Sequence, residues 1–362
     1  MNVLILTPDR VGSTLLQRLV TVYANINDPK TVTVNLHELT NGLAIYDNAK
    51  YGTVLGKKEN YWGYHQSLKQ IVDMLSNCQH DVTSRLAYYH IKNRKDTIGD
   101  QLSFYKYLND NFYIISARRH NLFEHAISWG ISVESKKLNV YTFEEKYNVF
   151  KDLYTKGINI DQNTMTKYLT QYNEYVNWVD AHFNVNAYFD YEDHLPNIEQ
   201  FILNLTVFAQ PGYKTTWLDH YGIEWNNWNK MHYLLSLNPF GYKFTQEEKE
   251  FIKDNLAKYT ATRGKLQDLQ DDGLLVSGIP IKLQTLAEKS QIVHNLEYCL
   301  DTYNKWVGYA NPNYAIEYNP HELADMALLE NKTWNFGNID TSTQLTYNDV
   351  NSQDLHQSDL KY

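Results

Sequence analysis

The chain opens with a short apolar run, Val3 to Leu6, that breaks at once into a polar turn, Thr7-Pro8-Asp9-Arg10-Val11-Gly12-Ser13-Thr14. The next stretch, from Leu15 to Tyr23, carries its apolar residues at helical spacing. The opening unit is therefore strand, loop, helix. It constrains the fold because it recurs. Thr31 to Leu36 reads as a weak second strand, and Tyr61 to Leu75 as an amphipathic helix with Tyr64, Leu68, Ile71, Val72 and Leu75 on one side. Arg85 to Ile91, Phe112 to Ser116 and Ala187 to Tyr191 have strand character. Leu122 to Ile131, Met165 to Phe183 and Ile198 to Phe208 return to helical spacing. Short strands alternating with longer helices predict an α/β fold, a parallel β-sheet flanked by helices. The character changes near residue 270. Residues 1–270 are expected to form the α/β domain and 271–335 a mainly helical C-terminal extension, with helices over Leu283 to Val307 and Pro320 to Glu330. Residues 336–362 are expected to be a polar, flexible tail.

Composition removes several classes of function. A net charge of −9 over 362 residues makes a poor general nucleic-acid binder, because phosphate binding rests on Lys and Arg. The two cysteines, Cys78 and Cys299, form no disulfide framework and no zinc-finger spacing. No basic segment and long apolar run mark a signal peptide at the start, and nothing approaches the roughly 18 apolar residues of a membrane span. The expected location is the cytoplasm. Asn204 and Asn331 match the glycosylation pattern by chance on that reading. The 30 tyrosines read first as codon bias, with an aromatic-lined sugar or phenol site as the alternative.

The loop after the first strand carries the chemistry. Successive backbone N–H groups between a strand and a helix converge on an anion, and the helix dipole adds to the attraction. Gly12 permits close approach, Ser13 and Thr14 bring hydroxyl donors, and Arg10 brings a fixed charge. The loop lacks the first Gly and the Lys of a Walker A motif. Its plainer reading is a strand-to-helix turn with a Ser/Thr cap. The segment resembles the 5′-phosphosulfate loop of sulfotransferases that use 3′-phosphoadenosine 5′-phosphosulfate (PAPS), commonly written P-[KR]-S-G-[ST]-T. Arg10, Gly12, Ser13 and Thr14 match. Asp9 stands in the Pro place, and Val11 replaces Ser, keeping the backbone N–H.

Three further segments resemble that family, in its order. Arg85-Leu86-Ala87-Tyr88-Tyr89-His90-Ile91 is similar to R-[LI]-x-K-[TS]-H-L, in which the His takes the acceptor's proton. Tyr88 stands where the family often has Lys. Phe112 to Trp129 is similar to the 3′-phosphate site, an apolar strand ending in Arg followed by a Ser on the next helix. Arg119 and Ser128 fit best, one residue beyond the usual spacing, with Arg118 as the substitute. Asp190-Tyr191-Glu192-Asp193 is similar to the Y-E-D segment, whose Tyr lies against adenine. Its plainer reading is an acidic turn, and a metal cluster with His194 is discounted. Arg263-Gly264-Lys265 is a faint echo of a further C-terminal segment.

The resemblance covers roughly residues 2–210. It implies a P-loop-like sulfotransferase fold and transfer of a sulfuryl group from PAPS, as co-substrate and without a metal, to a hydroxyl. His90 would be the base and Arg10 would stabilise charge on the sulfuryl and bridging oxygens. The loop from Arg10 to Thr14, Val11 included, would hold the 5′-phosphosulfate. Glu38 is the alternative base, and His37 a third. The acceptor would be a small molecule, a sugar or glycan, or a tyrosyl group, walled by Thr40 to Tyr64 and Asn139 to Gln162. The competing functions are a non-catalytic nucleotide- or glycan-binding protein and a nucleotide or small-molecule kinase. Oligomeric state is not legible.

Overall fold

A computed structural model of the chain describes residues 2–27, 31–40, 47–48, 52–53, 66–135, 152–153, 155–208, 222–237, 243–272, 274 and 289–310. Its first strand, β1 (Val3–Thr7), is buried along its whole length. A strand covered on both faces is apolar throughout instead of alternating, as β1 is. The remaining strands are β2 (Thr33–Glu38), a two-residue antiparallel pair β3 (Asp47–Asn48) and β4 (Gly52–Thr53), then β5 (Asp81–Ala87), β6 (Tyr113–Arg118) and β7 (Ala187–Asp190). Five of them form one sheet in the order β2-β5-β1-β6-β7, and every neighbouring pair is parallel. This is the helix-flanked α/β sheet that the alternation of short strands and helices predicts.

The helices are α1 (Ser13–Asn27), α2 (Leu68–Ser76), α3 (Tyr88–Lys92), α4 (Ile98–Asn111), α5 (Leu122–Glu134), α6 (Gln162–His182), α7 (Tyr191–His194), α8 (Ile198–Asn204), α9 (Trp225–Leu237), α10 (Gln246–Asp271), α11 (Lys289–Ile292) and α12 (Leu296–Ala310). Two expected strands end early. The chain leaves the sheet after Ala87, the last residue paired with β1, so Tyr88 to Ile91 turn into α3 instead of continuing the strand. Asp190 likewise ends β7, and Tyr191 opens α7. α9 and α10 were not anticipated, and Arg263-Gly264-Lys265 lies inside α10. α10 does carry a start signal, since Thr245 and Glu248 cap each other's backbone N–H. The helix expected over Pro320 to Glu330, the tail from 336, Asn331, and most of Thr40 to Tyr64 and Asn139 to Gln162 lie outside the described residues.

Two compact units divide the chain. The first comprises Met1–Asn121, Gln171–Asn229 and Leu256–Ile281, and holds the sheet. There α1 lies over β2 and β5, burying Leu16, Leu19, Val20 and Tyr23. Ser67 and Gln70 form a capping box that starts α2, and Asp96 accepts the Leu68 N–H at 2.9 Å. Tyr175 of α6 is buried, with its hydroxyl 3.1 Å from the Leu6 carbonyl, 2.9 Å from the Ala117 carbonyl and 2.9 Å from Ser116 Oγ. One phenol thus ties the carboxyl ends of β1 and β6 together.

The second unit comprises Leu122–Thr170, Lys230–Asn255 and Lys282–Tyr362. Trp129 stacks on Tyr168 with centroids 4.9 Å apart, and the Tyr168 hydroxyl meets His125 Nε2 at 2.6 Å. Gly130 lies against Ile160, where a Cβ would sit 2.8 Å from the side chain. Asn295 grips Ile160 at both its N–H (3.0 Å) and its carbonyl (2.9 Å). Among the described residues no helix is long and apolar enough to cross a membrane.

Tyr175→Phe removes a buried hydroxyl and its hydrogen bonds at the strand ends. It should lower stability by about 1–3 kcal/mol in urea unfolding, while Tyr298→Phe, at an exposed hydroxyl, should change it by less than about 0.5 kcal/mol.

Candidate active site

The carboxyl ends of the parallel strands share one edge, and the sheet order changes direction there. From β1 the chain moves through α1 to β2, returns to β5 beside β1, then crosses β1 to reach β6. Ligands bind in open α/β sheets at such a switch. The loop after β1 fills it. Arg10 and Gly12 both have left-handed backbone, with φ of 64° and 70°. A Gly adopts that conformation freely, whereas an Arg there is uncommon and points to a fixed turn. Between them Val11 is fully buried. Its side chain belongs to the core, so replacing Ser with Val leaves the loop's backbone available. Thr7 and Ser13 join through their hydroxyls at 3.0 Å, which clamps the two ends of the loop.

β2 delivers His37 and Glu38 through an irregularity. Its pairing with β5 shifts between Asn35 and Glu38, and His37 takes left-handed backbone at φ 62°. A bulge re-aims the side chains that follow it. This one is held from several sides. Asn35 Oδ1 accepts the His37 N–H at 2.9 Å, and the His37 carbonyl accepts from Gln17 (2.9 Å) and Ser84 (3.0 Å). Glu38 is thereby set opposite Arg85.

Arg85 is the hub. It is buried, and its guanidinium meets Glu38 Oε1 at 3.0 Å, His37 Nδ1 at 2.8 Å and the Thr14 hydroxyl. The other Glu38 oxygen lies 3.2 Å from His90 Nδ1. Burial opposes the charge on Glu38, but Arg85 and the His90 hydrogen bond outweigh it and hold the carboxyl below its ordinary range. His90 therefore presents Nδ1 to an anionic carboxylate. Burial, then the Arg85 charge, pushes His37 down to about 4. It accepts from Arg85 as a neutral ring and is unsuited to be a base. Burial and then the Glu38 charge push the Asp9 carboxyl up, against the pull of His90, Arg10 and Arg85. Tyr88 packs its ring on Trp178 at 5.3 Å.

On the other side of β1, Arg118 ends β6 and Arg119 follows it. Arg118 pairs with Asp190 and lies over the Tyr188 ring at 4.1 Å. Arg119 is buried and pairs with Glu192 at 2.9 Å, with its guanidinium 4.3 Å from the Tyr191 ring centre. The Arg119 main chain is fixed by the Tyr172 hydroxyl, 3.0 Å from its carbonyl. Tyr191 also meets the loop, since a Cβ on Gly12 would lie 3.5 Å from its ring carbons. Gly12, Tyr191 and Arg119 are thus brought together. Ser128 lies on α5 in the second unit, half-exposed, and its carbonyl accepts from Ser132 at 3.0 Å. His120, Asp190 and Asp193 offer ligand atoms within 4.8 Å of one another, but Asp190 already carries Arg118, and His194 turns its Nδ1 to the Asp190 N–H at 2.8 Å.

Arg85, Asp9 and Glu192 were missed as parts of the site. The strand expected from the sequence starts at Arg85, whereas β5 begins at Asp81 and places Arg85 inside the sheet, where a buried charge must find partners.

The His37 assignment makes a pH prediction. The folded ring takes up its proton only near pH 4, whereas the unfolded ring does so near 6.5. Stability from this group is complete above about 6.5 and is lost as pH falls toward 4. His37→Asn keeps an acceptor for Arg85 and tolerates left-handed backbone. Its unfolding free energy should fall less than the wild type's across that window, by up to roughly 3 kcal/mol. Asp9 acts in the opposite sense in both proteins and cancels in the comparison.

No protein-family model matches the sequence, and no curated protein matches it. Among solved structures, the chain is similar at 9% identity to a sulfotransferase from Alicyclobacillus acidocaldarius, over 74% of this chain and 95% of that one, with a TM-score of 0.32. A likeness that distant leaves the chemistry to be read from the residues.

Proposed function

We propose that the chain is a PAPS-dependent sulfotransferase acting on an acceptor hydroxyl. One observation carries the reading. Arg85 joins Thr14, at the head of the anion loop, to Glu38, and Glu38 orients His90. The proposed cradle for a donor anion and the proposed base are parts of one network. The four motifs of the sequence support the same reading independently.

In this proposal the N–H groups from Val11 to Thr14 and the Ser13 hydroxyl hold the 5′-phosphosulfate, with Arg10 on the sulfuryl oxygens. His90 Nε2 takes the proton of the acceptor hydroxyl. The acceptor oxygen forms a bond to sulfur as the bond from sulfur to the 5′-phosphate oxygen breaks. The products are a sulfate ester, 3′,5′-adenosine bisphosphate (PAP) and the proton left on His90, which stays paired with Glu38. Positioning and charge stabilisation account for the rate, as in phosphoryl transfer. Arg119 serves the 3′-phosphate, with Arg118 as the substitute, and Tyr191 serves the adenine. The donor residues fit the group in kind, with arginines, hydroxyls and a left-handed loop exposing N–H groups. No metal is assigned a role. A small-molecule or glycan acceptor and a cytoplasmic setting belong to the same proposal. A second reading, a binding protein without turnover, is favoured by one observation: both Arg118 and Arg119 already carry carboxylate partners.

Calorimetry with PAP, without magnesium, tests the donor site. Arg10→Ala and Arg119→Ala should each weaken binding tenfold or more, about 1.4 kcal/mol. His90→Ala should leave PAP affinity within about twofold and reduce turnover by roughly 10²–10⁴-fold. Absence of wild-type binding up to about millimolar PAP, roughly 4 kcal/mol of affinity, would remove the foundation of the proposal.

A further inference from the structure

Glu192 uses both carboxylate oxygens on three consecutive residues that leave β6. Oε1 accepts from Arg119 Nε at 2.9 Å and from the Asn121 N–H at 3.3 Å. Oε2 accepts from the His120 N–H at 2.9 Å. Arg119 is nine-tenths buried, and Glu192 reaches it from the turn that begins with Tyr191. One guanidinium N–H and two main-chain N–H groups converging on two oxygens is how a phosphate is held. The anion held here is the chain's own.

We propose that Glu192 is the residue that sets how the donor site reads the nucleotide's 3′ position. This inference rests on the sulfotransferase reading above, which assigns the 3′-phosphate to Arg119. Glu192 takes the Nε–H of Arg119 and two main-chain N–H groups, and a phosphate reaching Arg119 through its Nη groups would lie against that carboxylate, where two anions in contact repel. A 3′-phosphate must therefore displace Glu192 or bind Arg119 against its charge. A nucleotide with a free 3′-hydroxyl makes no such demand, and its hydroxyl can donate to the carboxylate. Glu192 thus narrows the preference for a 3′-phosphorylated nucleotide that Arg119 alone would create. It does so from the residue next to Tyr191, whose ring meets both Arg119 and Gly12. Displacement of the carboxylate and seating of the adenine are accordingly one local event.

The test compares PAP with adenosine 5′-monophosphate by calorimetry on wild type, Glu192→Gln and the double variant Glu192→Gln with Arg119→Ala. The amide is isosteric and keeps one acceptor, so the fold should hold; thermal unfolding checks this. If Glu192→Gln melts early, Glu192→Asp, which withdraws the charge from Arg119 by one methylene, takes its place. The ratio of PAP to monophosphate affinity should rise about tenfold in Glu192→Gln through tighter PAP binding, with the monophosphate within about threefold. The double variant should lose the gain. An unchanged or lower ratio in a well-folded variant overturns the inference and makes Glu192 a buttress for Arg119. Titration with inorganic phosphate separates the two claims. If neither nucleotide binds any variant but Glu192→Gln gains an Arg119-dependent phosphate site, the sulfotransferase reading fails and the masked anion site stands. If no variant gains a phosphate site and neither nucleotide binds, both fail.

Discussion

The site depends on the burial of one guanidinium. Arg85 is buried within the sheet, where an unpaired charge would be costly. It is stable only because Glu38, His37 and Thr14 surround it. Two partners come from β2 and one from α1, so these contacts also fix the end of β2, the head of α1 and the end of β5 relative to one another. The bulge at His37 belongs to the same requirement. Without the extra residue, the side chains of β2 would alternate past Arg85, and Glu38 would not face it. The carboxylate that neutralises Arg85 with one oxygen orients His90 with the other.

The opposite side of β1 repeats the logic with a different outcome. Two arginines leave β6, and two acidic residues near the end of β7 meet them, Asp190 for Arg118 and Glu192 for Arg119. At Arg85 the carboxylate also meets a second group, His90. At Arg119 the carboxylate takes the Nε–H and the two main-chain N–H groups that follow. Tyr191 connects the halves, touching the anion loop at Gly12 and the guanidinium of Arg119. A glycine is favoured there by its left-handed backbone.

Much of the fold was legible because it follows from local pattern. The apolar run of β1, the helical spacing of α1 and the alternation after them are properties of adjacent residues, and they carried the parallel sheet. The turn at Tyr88 was not legible, since β-branched and aromatic residues continue a strand pattern that only the edge of the sheet ends. The pairing of Glu38 with His90 was hidden for a different reason. It needs a bulge held by Gln17 and Ser84, which are distant in sequence from His37. His90 and Glu38 were read as alternative bases, and the geometry makes them partners. Glu192 was quoted only as part of a motif beside Tyr191, because its partners lie more than seventy residues away.

The most direct measurement is transfer of labelled sulfur from PAPS, without magnesium, to a panel containing a phenol, a sugar and a tyrosyl peptide. Sulfuryl transfer by this site predicts a labelled ester on one class of acceptor, formed one-for-one with PAP and lost in His90→Ala. A protein that binds PAP tightly yet moves no label to any acceptor, and releases none to water, would contradict an enzymatic role and leave a nucleotide-binding protein in its place.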